Sequence, residues 1–310
     1  METNPAVLAQ MITAGHTNEL DKVRAIFHWI TDNIAYNTII FQKRTRYQPK
    51  VKTTGEQDDT SMVLKPLNER VAEGVLKRRV AVCDGYSRLF KTLCDYAGIK
   101  SVIIYGYARN FSNRVGTRFF SNHTWNAVSI NGKWELLDAT WASGYINFND
   151  DFVKSYNDKY FLAPPQQFIE DHYPELIEWA LLSKPPTLGE FRYSPFKYQS
   201  FFKKRILSIS PTTGTIEAKI GDTINIEIET VSEEKNLLIT GYPIMQSALL
   251  SLFNPLLMQE SLTVTSSKKL KGHYIVNTPI EWLYVILNGE TVLRYKVKLS
   301  DHHPSIKASN

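Results

Sequence analysis

The stretch VAVCDGYSRLFKTLCDYAG, Val80 to Gly98, decides how the chain is read. A short apolar run ends at Cys83. Directly behind it Tyr86, Leu89, Phe90, Leu93 and Ala97 recur at three- and four-residue steps, the stripe of a helix with one buried face. Gly98 supplies the C-terminal stop. Cys83 therefore falls at or just before the first turn. Backbone N–H groups there lack intrahelical partners, and the helix dipole favours an anion. A thiol so placed ionises more readily than a free one. A lone cysteine on an apolar stretch is otherwise a small core residue, so the position alone does not make a nucleophile.

A second stretch, HTWNAVSINGKWELLDAT from His123 to Thr140, changes the balance. Asn131-Gly132 between two runs of strand character predicts a two-residue type I′ hairpin. That turn fixes the register. Ile130 faces Lys133, Val128 faces Glu135, and Trp125 falls opposite Asp138. Side chains alternate along a strand, so His123, Trp125, Ala127, Trp134, Leu136, Asp138 and Thr140 share one face. His123 and Asp138 become diagonal neighbours, roughly 7–8 Å apart at the backbone. An aspartate can then hold one imidazole nitrogen and leave the other for a thiol. Taken singly, His123 reads as a core histidine and Asp138 as a strand-end cap. Their shared face makes a Cys83–His123–Asp138 triad the stronger reading. Trp125, on the same face, is a candidate for lining a substrate cleft or for packing in the core.

The motifs also resemble a family. A cysteine at a helix start, then H-x-W, then D-x-T-W on the next strand is similar to the transglutaminase-like superfamily of papain-type cysteine enzymes. CDGYSRLF, HTWNAV, WELLDATW and the later YFLAPPQQFIEDHYPELIEWALL resemble the kyphoscoliosis-peptidase-like branch. The similarity runs from the helix before Tyr36 to about Phe202. It implies an α+β, papain/transglutaminase-like catalytic domain with Cys83, His123 and Asp138 as the triad. It also implies attack on amide bonds of protein or peptide substrates through a thioester, with proteolysis favoured over cross-linking for this branch. No cofactor is called for and no metal-ligand spacing occurs, and a need for calcium is left open. His172, in D-H-Y-P, resembles a family motif and is given a structural role. The rival from another class is a scaffold that keeps the fold and binds proteins without turnover.

Composition sets the remaining bounds. The chain has 310 residues, 43% hydrophobic and 22% charged, with a net charge of +5. That is long enough for two domains of ordinary globular make-up. The charge is too mild to argue for nucleic acid or an anionic membrane. Basic clusters at Lys77–Arg79, Lys203–Arg205 and Lys268–Lys271 read as solvated surface. Cys83 and Cys94 are the two cysteines. On one helix they stand about 16 Å apart, too far for a disulfide, and Cys94 reads as core. No apolar run approaches the ~20 residues of a membrane span. No signal peptide is visible at the first residue, which leaves the compartment open.

Along the chain, helices are predicted near residues 5–14 and across Val23, Ile26, Phe27, Ile30 and Ile34. Thr17 or Asn18 would cap the second of these, and Asn68 a short helix before Cys83. Polar residues 41–66 and 109–118 read as loops, and TWASGYINFNDDF as irregular. The catalytic domain is set at 1–200. From about 205 to 310, short alternating runs and a second Asn288-Gly289 turn predict an all-β, immunoglobulin-like sandwich.

Overall fold

The computed structural model describes residues 2–39, 65–109, 121–147, 149–243, 261–263 and 267–300. They divide into two units between Pro185 and Pro186. The stretches 41–64, 110–118 and 249–258, two of them within the predicted loops, lie outside the described residues.

In the first unit, α1 (Pro5–Thr13) starts behind Asn4, whose side chain accepts from the Ala6 and Val7 N–H groups. α2 (Glu19–Asn33) starts behind Asn18, which accepts from Asp21 N–H. α3 (Leu67–Arg78) starts behind Pro66, not Asn68. Asn68 sits inside the first turn and accepts from Arg88 Nη1 at 2.5 Å, so a tertiary bond replaces the expected cap. α4 (Cys83–Tyr96) is the helix read from the opening stretch. Tyr86, Leu89, Phe90 and Leu93 are wholly buried in one core with Val23, Ile26, Phe27 and Ile30 of α2. Each such side chain contributes about 1.5–3 kcal/mol by leaving water, which fixes the axis of α4 and the place of its first residue.

β1 (Ala35–Tyr36) and β2 (Val80–Ala81) pair in parallel. They fasten the end of α2 to the segment that delivers Cys83. β3 (Ser101–Ala108), β4 (His123–Ile130) and β5 (Lys133–Leu137) follow. β4 and β5 pair as the turn dictates, with Ile130 opposite Lys133 and Asn126 opposite Leu137. Asn131 and Gly132 take the left-handed backbone that a type I′ turn needs, at φ 51° and 79°. The chain then enters α5 (Ala139–Ser143) and the hairpin β6 (Gly144–Ile146) with β7 (Phe152–Lys154). Of the stretch expected to be irregular, residues 140–146 and Phe152 therefore lie in a helix and a hairpin. α6 (Pro165–Phe168) leads to β8 (His172–Pro174), which completes an antiparallel sheet in the order β5-β4-β3-β8.

Among its described residues, the second unit is all-β apart from α7 (Leu188–Tyr193) and α8 (Gln199–Lys203). Its strands are β9 (Phe196–Lys197), β10 (Ile206–Ser210), β11 (Thr215–Ala218), β12 (Thr223–Glu234), β13 (Leu237–Thr240), β14 (Ser261–Thr263), β15 (Ser267–Ile275), β16 (Trp282–Leu287) and β17 (Glu290–Leu299). One sheet runs β10-β12-β15. The other runs β11-β17-β16-β13-β14, with β9 added to β17. Ile224, Ile226 and Ile228 of β12 alternate inward and share one core with Ile239, Leu283 and Val285 of the other sheet. β9 pairs with Leu293 and Arg294, and Phe201 belongs to this core. The second unit thus begins ahead of the boundary that composition suggests. Two lysines of the Lys268–Lys271 cluster face acids of β12, Lys271 on Glu227 at 2.6 Å and Lys269 on Glu229 at 3.7 Å. No helix among the described residues is long and apolar enough to cross a membrane.

Candidate active site

Three elements of the first unit bring the site together. Cys83 is the first residue of α4, behind Val82 in extended backbone. His123 is the first residue of β4, beside Gly106 of β3. Asp138 follows the last residue of β5 and caps α5. His123 Nε2 lies 2.8 Å from Asp138 Oδ2. The other ring nitrogen, Nδ1, is not used by Asp138, and of its neighbours the Cys83 thiol feels His123 most strongly, then Thr124. Cys83 is 7% exposed, His123 8% and Asp138 1%.

Asp138 uses its two oxygens differently. Oδ1 accepts from the Thr140 N–H at 2.8 Å and the Trp141 N–H at 3.2 Å, the cap of α5. Oδ2 faces His123 and also His172, whose Nε2 is 3.0 Å away. Asp138 thus caps α5 with one oxygen and faces the two histidines with the other.

These contacts set the charges. Burial disfavours a Cys83 thiolate, but the hydrogen bond and charge of His123, with help from Thr124, outweigh it and hold the thiol below its ordinary value. Burial likewise opposes an imidazolium at His123, yet Asp138 and then Cys83 lift it to about 10. Burial would raise Asp138, but the charges and hydrogen bonds of His123 and His172 hold it well below the usual carboxylate range. The three groups favour a thiolate–imidazolium pair backed by a carboxylate. The start of α4 adds its unpaired N–H groups beside the sulfur, where an oxyanion can be received. Cys94, fully buried on the same helix, has its thiol pushed up by that burial.

Trp125, a candidate for the cleft, is 1% exposed and packs against Phe168 and His172 at ring-centroid distances of 6.0 and 5.1 Å. It is core, because the rings of Phe168 and His172 pack against it. The ring beside His123 with partial exposure is Trp141, at 5.3 Å. His172, given a structural role from the sequence, proves to be a direct neighbour of Asp138. It lies 34 residues beyond Asp138 on the far edge strand, and no local periodicity links the two. His123, Asp138 and His172 place three ligand-type atoms within 4.8 Å of one another. Hydrogen bonds through Asp138 Oδ2 already account for that cluster.

A sequence model of the transglutaminase-like superfamily matches residues 6–139. The first unit of the chain belongs to that superfamily. The match contains Cys83, His123 and Asp138 and stops short of His172. The chain is 33% identical over 225 residues to kyphoscoliosis peptidase of Mus musculus, covering 71% of this chain and 31% of that protein. It is 31% identical over 211 residues to Hillarin of Drosophila melanogaster, covering 63% and 23%. It is 30% identical over 210 residues to the Lim and transglutaminase domain protein ltd-1 of Caenorhabditis elegans, covering 63% and 26%. The chain spans less than a third of the length of these curated relatives.

Proposed function

We propose that the first unit is a cysteine peptidase or amide acyl-transferase acting on protein or peptide substrates. What supports this reading is an imidazole bonded to one carboxylate and acting on the charge of a helix-start thiol. The thiolate of Cys83 attacks a substrate carbonyl, and the oxyanion is received at the start of α4. His123 delivers its proton to the leaving amine as the C–N bond breaks, which leaves a thioester on Cys83. Water or a second amine then attacks the thioester while His123 takes its proton, and the thiolate leaves. Water gives hydrolysis and an amine gives a new amide. Asp138 orients the ring throughout. The name of the mouse relative, a peptidase, favours water. An immunoglobulin-like topology for the second unit, and a role for it in holding protein substrates, belong to the same proposal.

The test is a peptide carrying an electrophilic carbonyl, incubated with the wild-type chain and with Cys83→Ala and His123→Ala. Covalent labelling of the wild type alone, at Cys83, supports an enzyme. Absence of labelling across peptides of varied sequence supports the protein-binding scaffold instead. Mass analysis of an unmodified peptide mixture then separates cleavage from amide exchange.

A further inference from the structure

A buried row of groups continues behind His123, and counting its protons fixes a charge. His172 is 1% exposed and its two nitrogens face two different carboxylates. Nδ1 lies 2.7 Å from Asp171 Oδ1, and Nε2 lies 3.0 Å from Asp138 Oδ2. An ionised carboxylate only accepts hydrogen bonds. Asp138 is held ionised by two backbone N–H donors and by His123. Asp171 is held ionised from its other oxygen, which accepts from the Lys159 ammonium at 2.5 Å and the Tyr160 hydroxyl at 3.1 Å. With acceptors on both sides, each nitrogen of His172 must donate. An imidazole that donates twice is an imidazolium.

We propose that His172 is a positioning residue of the active centre: a ring that donates from both nitrogens, locks Asp138 in place and sets the protonation balance of the Cys83–His123 pair. The inference rests on the reading of Cys83 as the nucleophile. The surroundings suit a cation. The ring of His172 stacks on Phe168 at 4.3 Å and meets the Trp141 ring at 4.5 Å. The charged or titratable groups facing it are Asp138 at the end of β5, His123 from β4, Tyr160 from the turn Asp158–Tyr160, and Asp171 beside it. Lys159 acts through Asp171.

The consequence reaches the thiol. The rings of His172 and His123 are 5.3 Å apart, close enough for one charge to move the other's titration strongly. A fixed positive charge favours proton loss from Cys83 and also from the His123 imidazolium. It offsets part of the pull of Asp138, which by itself ties the proton to His123 too firmly for easy transfer to a leaving amine. Two carboxylates and two imidazoles thus form an alternating row, and the balance at the thiol depends on its far end.

The test is the pH profile of Cys83 alkylation by iodoacetamide, read by peptide mass mapping on the full chain, wild type against His172→Gln. The glutamine amide keeps a donor to Asp138 and removes the charge. We expect both limbs of the profile to move to higher pH by about one unit. Nitrogen-15 spectra of histidine-labelled wild-type protein supply a second readout that needs no variant. Both His172 nitrogens should carry protons at pH 7. An activated wild-type Cys83 whose profile is unchanged by His172→Gln overturns the inference, as does a His172 nitrogen without a proton. An ordinary, unactivated wild-type thiol would instead remove the nucleophile reading, while the spectrum still decides the charge of His172.

Discussion

His123 and Asp138 are 15 positions apart in the chain, and their side chains meet at 2.8 Å. The Asn131–Gly132 turn is what makes this possible. It sets Asn126 opposite Leu137, so the residue after β5 arrives diagonally across from the start of β4. Asp138 then turns one oxygen to the helix it caps and the other to the ring.

That division of labour predicts the behaviour of Asp138→Asn. An asparagine that keeps its oxygen on the α5 cap turns an NH2 group toward two histidines that both donate. We expect a stability loss of about 3–5 kcal/mol from the broken buried pairs. Turnover of any peptide substrate should fall by about 10⁴, because the ring loses its orientation. Urea denaturation and initial rates measure the two effects. A variant within about 1 kcal/mol of wild type, with undiminished turnover, would contradict the assignment.

Gly106→Ala tests how the sheet holds the site. Gly106 lies between His123 of β4 and Pro174 of β8. A Cβ there would come within 2.3 Å of the Tyr173 carbonyl oxygen and 2.4 Å of the Trp125 ring. The first of these is backbone and cannot swing aside. We expect a loss of at least about 1–3 kcal/mol and slower alkylation of Cys83, since β8 must move and take His172 with it. Thermal melting and alkylation rates check both. An unchanged melting point would mean that the strands are less closely apposed than described.

The His123–Asp138 pair also predicts how stability varies with pH. The His123 value is raised from 6.5 to about 10 in the fold. Its contribution is therefore whole below pH 6.5 and is lost as pH climbs through about 10. The Asp138 value is depressed from 3.8. Its contribution is whole above pH 3.8 and fades as pH falls further. The stability gap between wild type and Asp138→Asn should be widest between these limits and narrow on both sides. Urea titrations across the range measure it, and a gap independent of pH would rule out the ionised pair.

Much of the site was legible because local rules wrote it. The stripe Tyr86–Leu89–Phe90–Leu93 placed Cys83 at a helix start, and one Asn-Gly turn placed His123 against Asp138. Where long-range packing decides, the residues alone mislead. Trp125 shares the face of His123, but rings from the distant Phe168 and His172 pack against it there, which no local pattern shows. His172 could be singled out by its motif, but its contact with Asp138 depends on the pairing of β3 with the distant β8. Asn68 looks like a cap, yet an arginine of the next helix claims its oxygen. The second-unit boundary was blurred because β9 is too short to show alternation and is held by β17 rather than by its own pattern.

The central claim is that Cys83 is an activated thiolate and Cys94 is not. Its most direct test is the rate of iodoacetamide alkylation of each cysteine in the native chain near neutral pH, resolved by peptide mapping, with His123→Ala alongside. The account predicts fast modification of Cys83, negligible modification of the wholly buried Cys94, and loss of the Cys83 advantage in His123→Ala. Equal rates at the two cysteines, or a Cys83 rate that His123→Ala leaves untouched, would contradict it.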